Sequence, residues 1–149
     1  MHDVETMIRI AGFGANDEDL ATSGLCGTFA LALKTIVPHL ELNLVCCSDA
    51  SGGVLRCRDG DPAWRHVVSR DQTGIYDVGG RVALDDLVAN YCWGNPHSAG
   101  GHLLTIEREA LILLLHSDRK SFDAGYLRRW ISMLEASLHH LHVRELRHA

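Results

Sequence analysis

The sequence predicts an α+β chain, with a buried helix, then a run of strands, then helices. Three observations predict it. Residues 26–37 carry Phe29, Leu31, Leu33 and Ile36, with Ala30 and Ala32 between them, and run into Pro38. That composition favours a buried helix, and the proline stops it. Leu40, Leu42 and Leu44 then alternate with other residues before Val45, Cys46 and Cys47, which is the period of a strand. Finally, residues 105–116 are strongly apolar, and residues 122–146 bring Leu127, Trp130, Ile131, Leu134, Leu138 and Leu141 at helical spacing, so two helices are expected to close over the sheet.

The remaining elements follow in chain order. Residues 1–20 open with a short helix holding Val4, Met7, Ile8 and Ile10, broken by Gly12 and Gly14, before Asn16, Asp17, Glu18 and Asp19 begin a second polar turn. A loop at 21–24 leads into the buried helix. Residues 48–53 read as a turn, and Val54-Leu55-Arg56-Cys57 as a short strand ahead of Asp59-Gly60-Asp61-Pro62. Residues 64–70 and 74–78, separated by Asp71-Gln72-Thr73 and ended by Gly79-Gly80, read as a β-hairpin. Residues 84–91 form a brief amphipathic helix with Asp85 and Asp86 near its start, where the helix dipole favours acids. Asn95-Pro96 and Gly100-Gly101 bracket a loop. The expected sheet is antiparallel with about four strands.

A chain of 149 residues fits one domain that buries a core without staples, helical from about residue 105. Its net charge of −5 supplies no basic footprint for a phosphate backbone, which argues against a nucleic-acid partner. No run reaches the ~18–20 apolar residues that span a bilayer, so no membrane association is expected. Five cysteines, Cys26, Cys46, Cys47, Cys57 and Cys92, make an odd set with an adjacent pair. That is a poor disulfide framework and points to a reducing cytosol. The only lysines are Lys34 and Lys120. A GC-rich bacterial genome accounts for that, as does avoidance of lysine modification by a protein delivered into a target cell.

The chemistry centres on Cys26. A nucleophilic cysteine acts as thiolate, and the free N–H groups of a helix start favour that anion. Gly24 before Cys26 allows a tight turn into the helix, and Gly27 after it leaves the thiol unscreened. The base must then come from elsewhere in the chain. His66 is the one histidine of ten inside a predicted strand, and Asp77 lies in the partner strand. If the hairpin closes symmetrically about the Asp71–Gln72 bond, paired residue numbers sum to 143. His66 then directly faces Asp77, and Val67 faces Tyr76 from the core side.

Cys26 within Gly24-Leu25-Cys26-Gly27-Thr28-Phe29-Ala30, His66 within Trp64-Arg65-His66-Val67-Val68, and Asp77 within Tyr76-Asp77-Val78 together resemble the Cys…His…Asp core of papain-like and transglutaminase-like proteins. The resemblance covers residues 24–80, roughly a third of the chain, in order and spacing. It implies a papain-like core, with a catalytic helix packed on an antiparallel sheet and a C-terminal helical pair. It also implies acyl transfer through a thioester, with Cys26 as nucleophile, His66 as base and Asp77 as its orienting partner. The substrate would be an amide or ester carbonyl of a protein or peptide, as for a protease, deamidase or transglutaminase-like enzyme, without a cofactor. Papain has a glutamine several residues before its cysteine as an oxyanion donor, and none stands there in this chain. Asn16 or Thr22 is the expected substitute, with the backbone N–H of Cys26 as the other donor. Trp64, Tyr76 and Trp93 are candidates to line the substrate groove.

Two other chemistries have partial motifs in the sequence. Cys92, His97 and His102, with Cys46 or Cys47, offer zinc-ligand chemistry but lack the Cys-x-x-Cys spacing or a tight His pair, so no metal is expected. The glycine pairs at 52–53, 79–80 and 100–101 are not followed by Lys-Ser or Lys-Thr and do not cradle phosphate. The rival of a different class is a non-catalytic interaction module that binds a partner protein through the helical face of residues 105–146.

Overall fold

The computed structural model describes residues 3–117 and 121–147. The expected start of the first helix at Met1 and His2 lies outside them. The fold is α+β, and the described residues form six helices and one five-stranded antiparallel sheet. Helices α1 (Val4–Ile10), α2 (Ala15–Ala21) and α3 (Cys26–Ile36) lead into β1 (Glu41–Cys47), β2 (Trp64–Asp71), β3 (Gly74–Asp77) and β4 (Gly80–Val82). Then come α4 (Leu84–Tyr91), β5 (Gly101–Ile106), α5 (Arg108–Ser117) and α6 (Ala124–Arg147). The strand order is β4-β3-β2-β1-β5.

Both faces of the central strands are covered, which is why β1 is buried at all but its first residue. Leu42, Leu44 and Cys46 pack with Cys26, Leu31 and Val67 on the α3 side. Val45 and Cys47 pack with Val68, Leu87 and Cys92 on the α4 side. The period-2 alternation thus sorts β1 into two cores. The third core joins α1, α3 and α6 around Phe29, which meets Phe13 and Trp130 edge to face at 5.4 and 5.7 Å between ring centres.

Buried polar groups fix how the helices dock. Arg129 Nε and Nη2 donate to the two oxygens of Asp17 at 2.9 Å each, and Trp130 Nε1 donates to Asp17 Oδ1 at 2.9 Å. The Arg129 guanidinium therefore holds the Asp17 carboxyl well below the usual carboxylate range, against the opposing effect of burial. Ser137 Oγ donates to Met7 O at 2.6 Å, tying α6 to α1. Among the described residues, no helix is long and apolar enough to cross a membrane.

The structure departs from the sequence expectations at four places. Residues 105–116 are not one helix, because the chain forms the edge strand β5 through Ile106 and α5 begins at Arg108. Residues 54–57 make only isolated bridges, Ser48 to Val54 and Arg56 to Pro62. Gly79-Gly80 does not end the sheet but turns it into β4, so the strands number five. The hairpin register is also different. Ser69 pairs with Tyr76, Arg70 with Ile75 and Asp71 with Gly74, so paired numbers sum to 145. The cause is the side chain of Asp71, whose Oδ1 accepts the Thr73 N–H at 2.8 Å. That local bond keeps Asp71 as the last paired residue and leaves Gln72-Thr73 as the turn.

Candidate active site

Three elements converge on one buried point. Cys26 is the first residue of α3, immediately after Leu25 at the cap position. Gly24 is not among the glycines with positive φ, so its conformational freedom is not what turns the chain into α3. His66 follows a bulge in β2, where the β1 pairing steps from Val45–His66 to Cys46–Trp64 and leaves Arg65 over. Such a bulge re-aims the side chains beside it. Asp77 closes β3, and its Oδ1 accepts the Gly79 N–H at 2.8 Å in the turn to β4.

The β2–β3 ladder stops at Ser69–Tyr76, so His66 and Asp77 do not face each other directly. Continued in the same register, Asp77 falls opposite Val68, and His66 lies diagonal to it on the same face. A diagonal neighbour is within reach of a long or aromatic side chain. His66 Nε2 meets Asp77 Oδ2 at 3.1 Å, with the imidazole fully buried and the carboxylate nearly so. Asp77 therefore uses one oxygen to shape the hairpin and the other to hold the imidazole.

With Nε2 engaged, Nδ1 is the ring nitrogen left for the thiol. It is buried and has no formed hydrogen bond. Burial pulls the imidazole down, but the Asp77 hydrogen bond and the nearby Cys26 and Asp77 outweigh it and raise His66 to about 9. The thiol is thus close enough to act on the ring, while no Cys26–His66 hydrogen bond is closed. The ring also lies flat against Tyr91 of α4, with centroids 4.2 Å apart and planes 5° from parallel.

All five cysteines are free, and only Cys57 is exposed. Burial, then the neighbouring Cys47 and Arg56, set the Cys46 thiol, which is pushed up to about 11. Burial and the Cys47 thiol push Cys92 up to about 12. Neither is a nucleophile at neutral pH. No group of three or more metal-ligating side chains occurs among the described residues. His102 bonds Ser48 Oγ through Nδ1 at 2.7 Å, and the Cys92 thiol donates to Cys46 O at 3.7 Å. His102 also lies in β5, so His66 is not the only strand histidine.

The flanking residues sort differently from expectation. Tyr76 is 1% exposed, packed with α1, α3 and α6, and its hydroxyl pairs with Thr73 Oγ1 at 2.6 Å. It is a core residue and lines no groove. Trp64 packs against the cluster that holds Cys26, whereas Trp93 is 66% exposed. Asn16 Nδ2 donates to Tyr126 Oη at 3.2 Å and borders a separate hollow with Asp17 and Arg129. Thr22 Oγ1 donates to Glu18 O at 2.8 Å. Neither side chain hydrogen-bonds Cys26. Thr22 does border an open cleft of about 720 Å³ with Asp77, Arg81, Asp86, Asn90 and Tyr91.

Two site residues escaped the sequence reading. Tyr91 is one, and a stack between distant elements leaves no sequence signal. Leu115 is the other. A β-carbon placed on Gly27 would lie 2.5 Å from Leu115 Cδ2, so the bare glycine is filled by α5 and does not leave the thiol open. A glycine inside a helical run is itself a signal of such close approach. Cys26 is 3% exposed, buried in the cluster that also holds Leu115.

No protein-family model matches the chain, nor does any curated protein or solved structure.

Proposed function

We propose that the protein is a thiol-dependent hydrolase or acyltransferase with a papain-like core, acting on an amide or ester carbonyl of a protein or peptide. One observation carries the reading: a buried imidazole held by Asp77 through Nε2 keeps its other nitrogen buried and unbonded, with Cys26 near enough to act on the ring. An orphaned buried ring nitrogen costs free energy, and in this reading it is kept to receive the thiol proton. The Cys26 proton passes to Nδ1 and the sulfur attacks the carbonyl carbon. The C–S bond forms as the C=O π pair moves onto oxygen, where the backbone N–H at the start of α3 receives the charge. The oxyanion collapses to a thioester while His66 returns the proton to the leaving amine or alcohol. Water or an amine then attacks the thioester, His66 takes its proton, and Cys26 is released. Asp77 keeps the imidazole in one orientation through both halves.

The 3% exposure of Cys26 requires a side chain to move before a substrate enters, and Leu115, packed in the same cluster, is the candidate. The same burial favours the second reading, an interaction module. Its surface would be the outer face of α6, where Ser132, Glu135, Ala136, Leu138, His139 and His142 border a hollow of about 720 Å³. The test is mass spectrometry of lysate proteins incubated with wild type and with Cys26→Ala. New peptide termini, glutamine-to-glutamate conversion or new cross-links that depend on Cys26 support the enzyme. Identical proteomes from the two contradict it.

A further inference from the structure

We propose that Tyr91 is a positioning residue of this same site: its ring fixes the plane of the His66 imidazole and favours its charged form. The inference rests on the acyl-transfer reading and adds a residue to it. The stack is near parallel, 5° between planes and 4.2 Å between centroids, well inside the ~6 Å at which a cation is attracted to an aromatic face. Tyr91 is also anchored independently of His66. Its hydroxyl donates to Thr22 O at 3.2 Å, in the segment just before α3. The next residue, Cys92, is fully buried and donates its thiol hydrogen to Cys46 O on β1 at 3.7 Å. The ring is thus a fixed wall against which the imidazole rests, between His66 and the cleft bordered by Thr22, Asp86 and Asn90.

Three titratable groups bear on His66 or lie against it: Cys26 from α3, Asp77 from β3 and Tyr91 from α4. Burial, then the nearby Asp77 and Cys26, push the Tyr91 phenol up to about 12. It therefore stays neutral while His66 titrates. Asp77 fixes one point of the imidazole, and a single hydrogen bond leaves the ring free to turn about that bond. The flat contact removes this freedom and aims Nδ1.

The test uses the full chain, labelled with ¹⁵N, as wild type, Tyr91→Phe and Tyr91→Leu. Leucine keeps the site dry but removes the aromatic face, so the effect of the ring is separated from that of solvent. Two properties are read: the midpoint of the His66 ring by NMR, and the pH profile of Cys26 alkylation by iodoacetamide. Tyr91→Leu is expected to lower the His66 midpoint by about one pH unit and to slow alkylation near pH 8 by about twofold. Tyr91→Phe is expected to keep both. A folded Tyr91→Leu protein with the wild-type midpoint and profile would overturn the inference. If leucine unfolds the chain, Tyr91→Met is read in its place. Loss of fold in both variants would also overturn the inference, by making Tyr91 a packing residue. Failure of the acyl-transfer reading is seen separately, as absence of Cys26-dependent products in the wild type.

Discussion

Substituting Gly27 by alanine should change sign with its neighbour. The new methyl would sit 2.5 and 2.7 Å from the two Cδ atoms of Leu115 and 3.1 Å from its Cγ. Leu115 is fully buried among Leu31, Leu111 and Phe122, so it has little room to turn away. Overpacking of this kind costs about 1–3 kcal/mol. Against it stands the helix preference of alanine over glycine, at most about 1 kcal/mol this near the helix start. Gly27→Ala alone should therefore destabilise, by up to about 2 kcal/mol. Leu115→Ala alone removes a buried side chain and should cost about 2–5 kcal/mol. In that background the added methyl enters vacated space, and Gly27→Ala should stabilise by up to about 1 kcal/mol. Urea unfolding of the four proteins of the cycle gives the coupling directly. A Gly27→Ala effect equal in both backgrounds within about 0.5 kcal/mol would refute the claim that Leu115 fills the glycine. Leu115→Ala should also speed Cys26 alkylation, because it thins the cluster in which the thiol is buried.

Two further predictions concern the imidazole. His66 is raised from 6.5 to about 9 in the fold, so its contribution to stability is fully present below about pH 6.5 and is lost as pH rises through about 9. At about 1.4 kcal/mol per pH unit this is a decline of up to about 3 kcal/mol, read from urea midpoints. His66→Gln should flatten the decline, and a wild-type stability that rises across this window would contradict the pairing. Asp77→Asn keeps an oxygen for the Gly79 N–H but loses the charge that raises His66. It should retain the fold while lowering the rate of Cys26 acetylation by p-nitrophenyl acetate by about 10² or more. An unchanged rate would remove Asp77 from the mechanism.

Much of this was legible in the residues, and the misses have local causes. The buried helix, β1, α4 and α6 follow from periodicity and from Pro38. The strand β5 was missed because its apolar part, Leu103-Leu104-Thr105-Ile106, is short and ends inside the stretch read as helix from residue 105, and a short apolar run does not distinguish strand from helix. The strand β4 has three residues, too few to show a period. The register error arose in the turn, where the Asp71–Thr73 bond moves the centre of the hairpin by one residue. The resulting slip is two in the sum of paired numbers, and an even slip leaves every side chain on its own face. For that reason His66 and Asp77 still meet, diagonally, although the direct pairing was wrong. The same face parity buries Tyr76 in the core. What covers the site could not be read, since Tyr91 and Leu115 reach it from elements placed by tertiary packing alone.

The central claim is that Cys26 is an activated thiol, and labelling selectivity tests it most directly. Exposure and activation make opposite forecasts here, because Cys57 is exposed whereas Cys26 is 3% exposed. Native protein is treated with substoichiometric iodoacetamide at pH 7, and modification is quantified at each cysteine by peptide mass spectrometry. The account predicts that Cys26 is labelled ahead of Cys57, and that His66→Gln reverses the order. Labelling that follows exposure in the wild type, with Cys57 first and Cys26 no faster than Cys46 or Cys92, would contradict it.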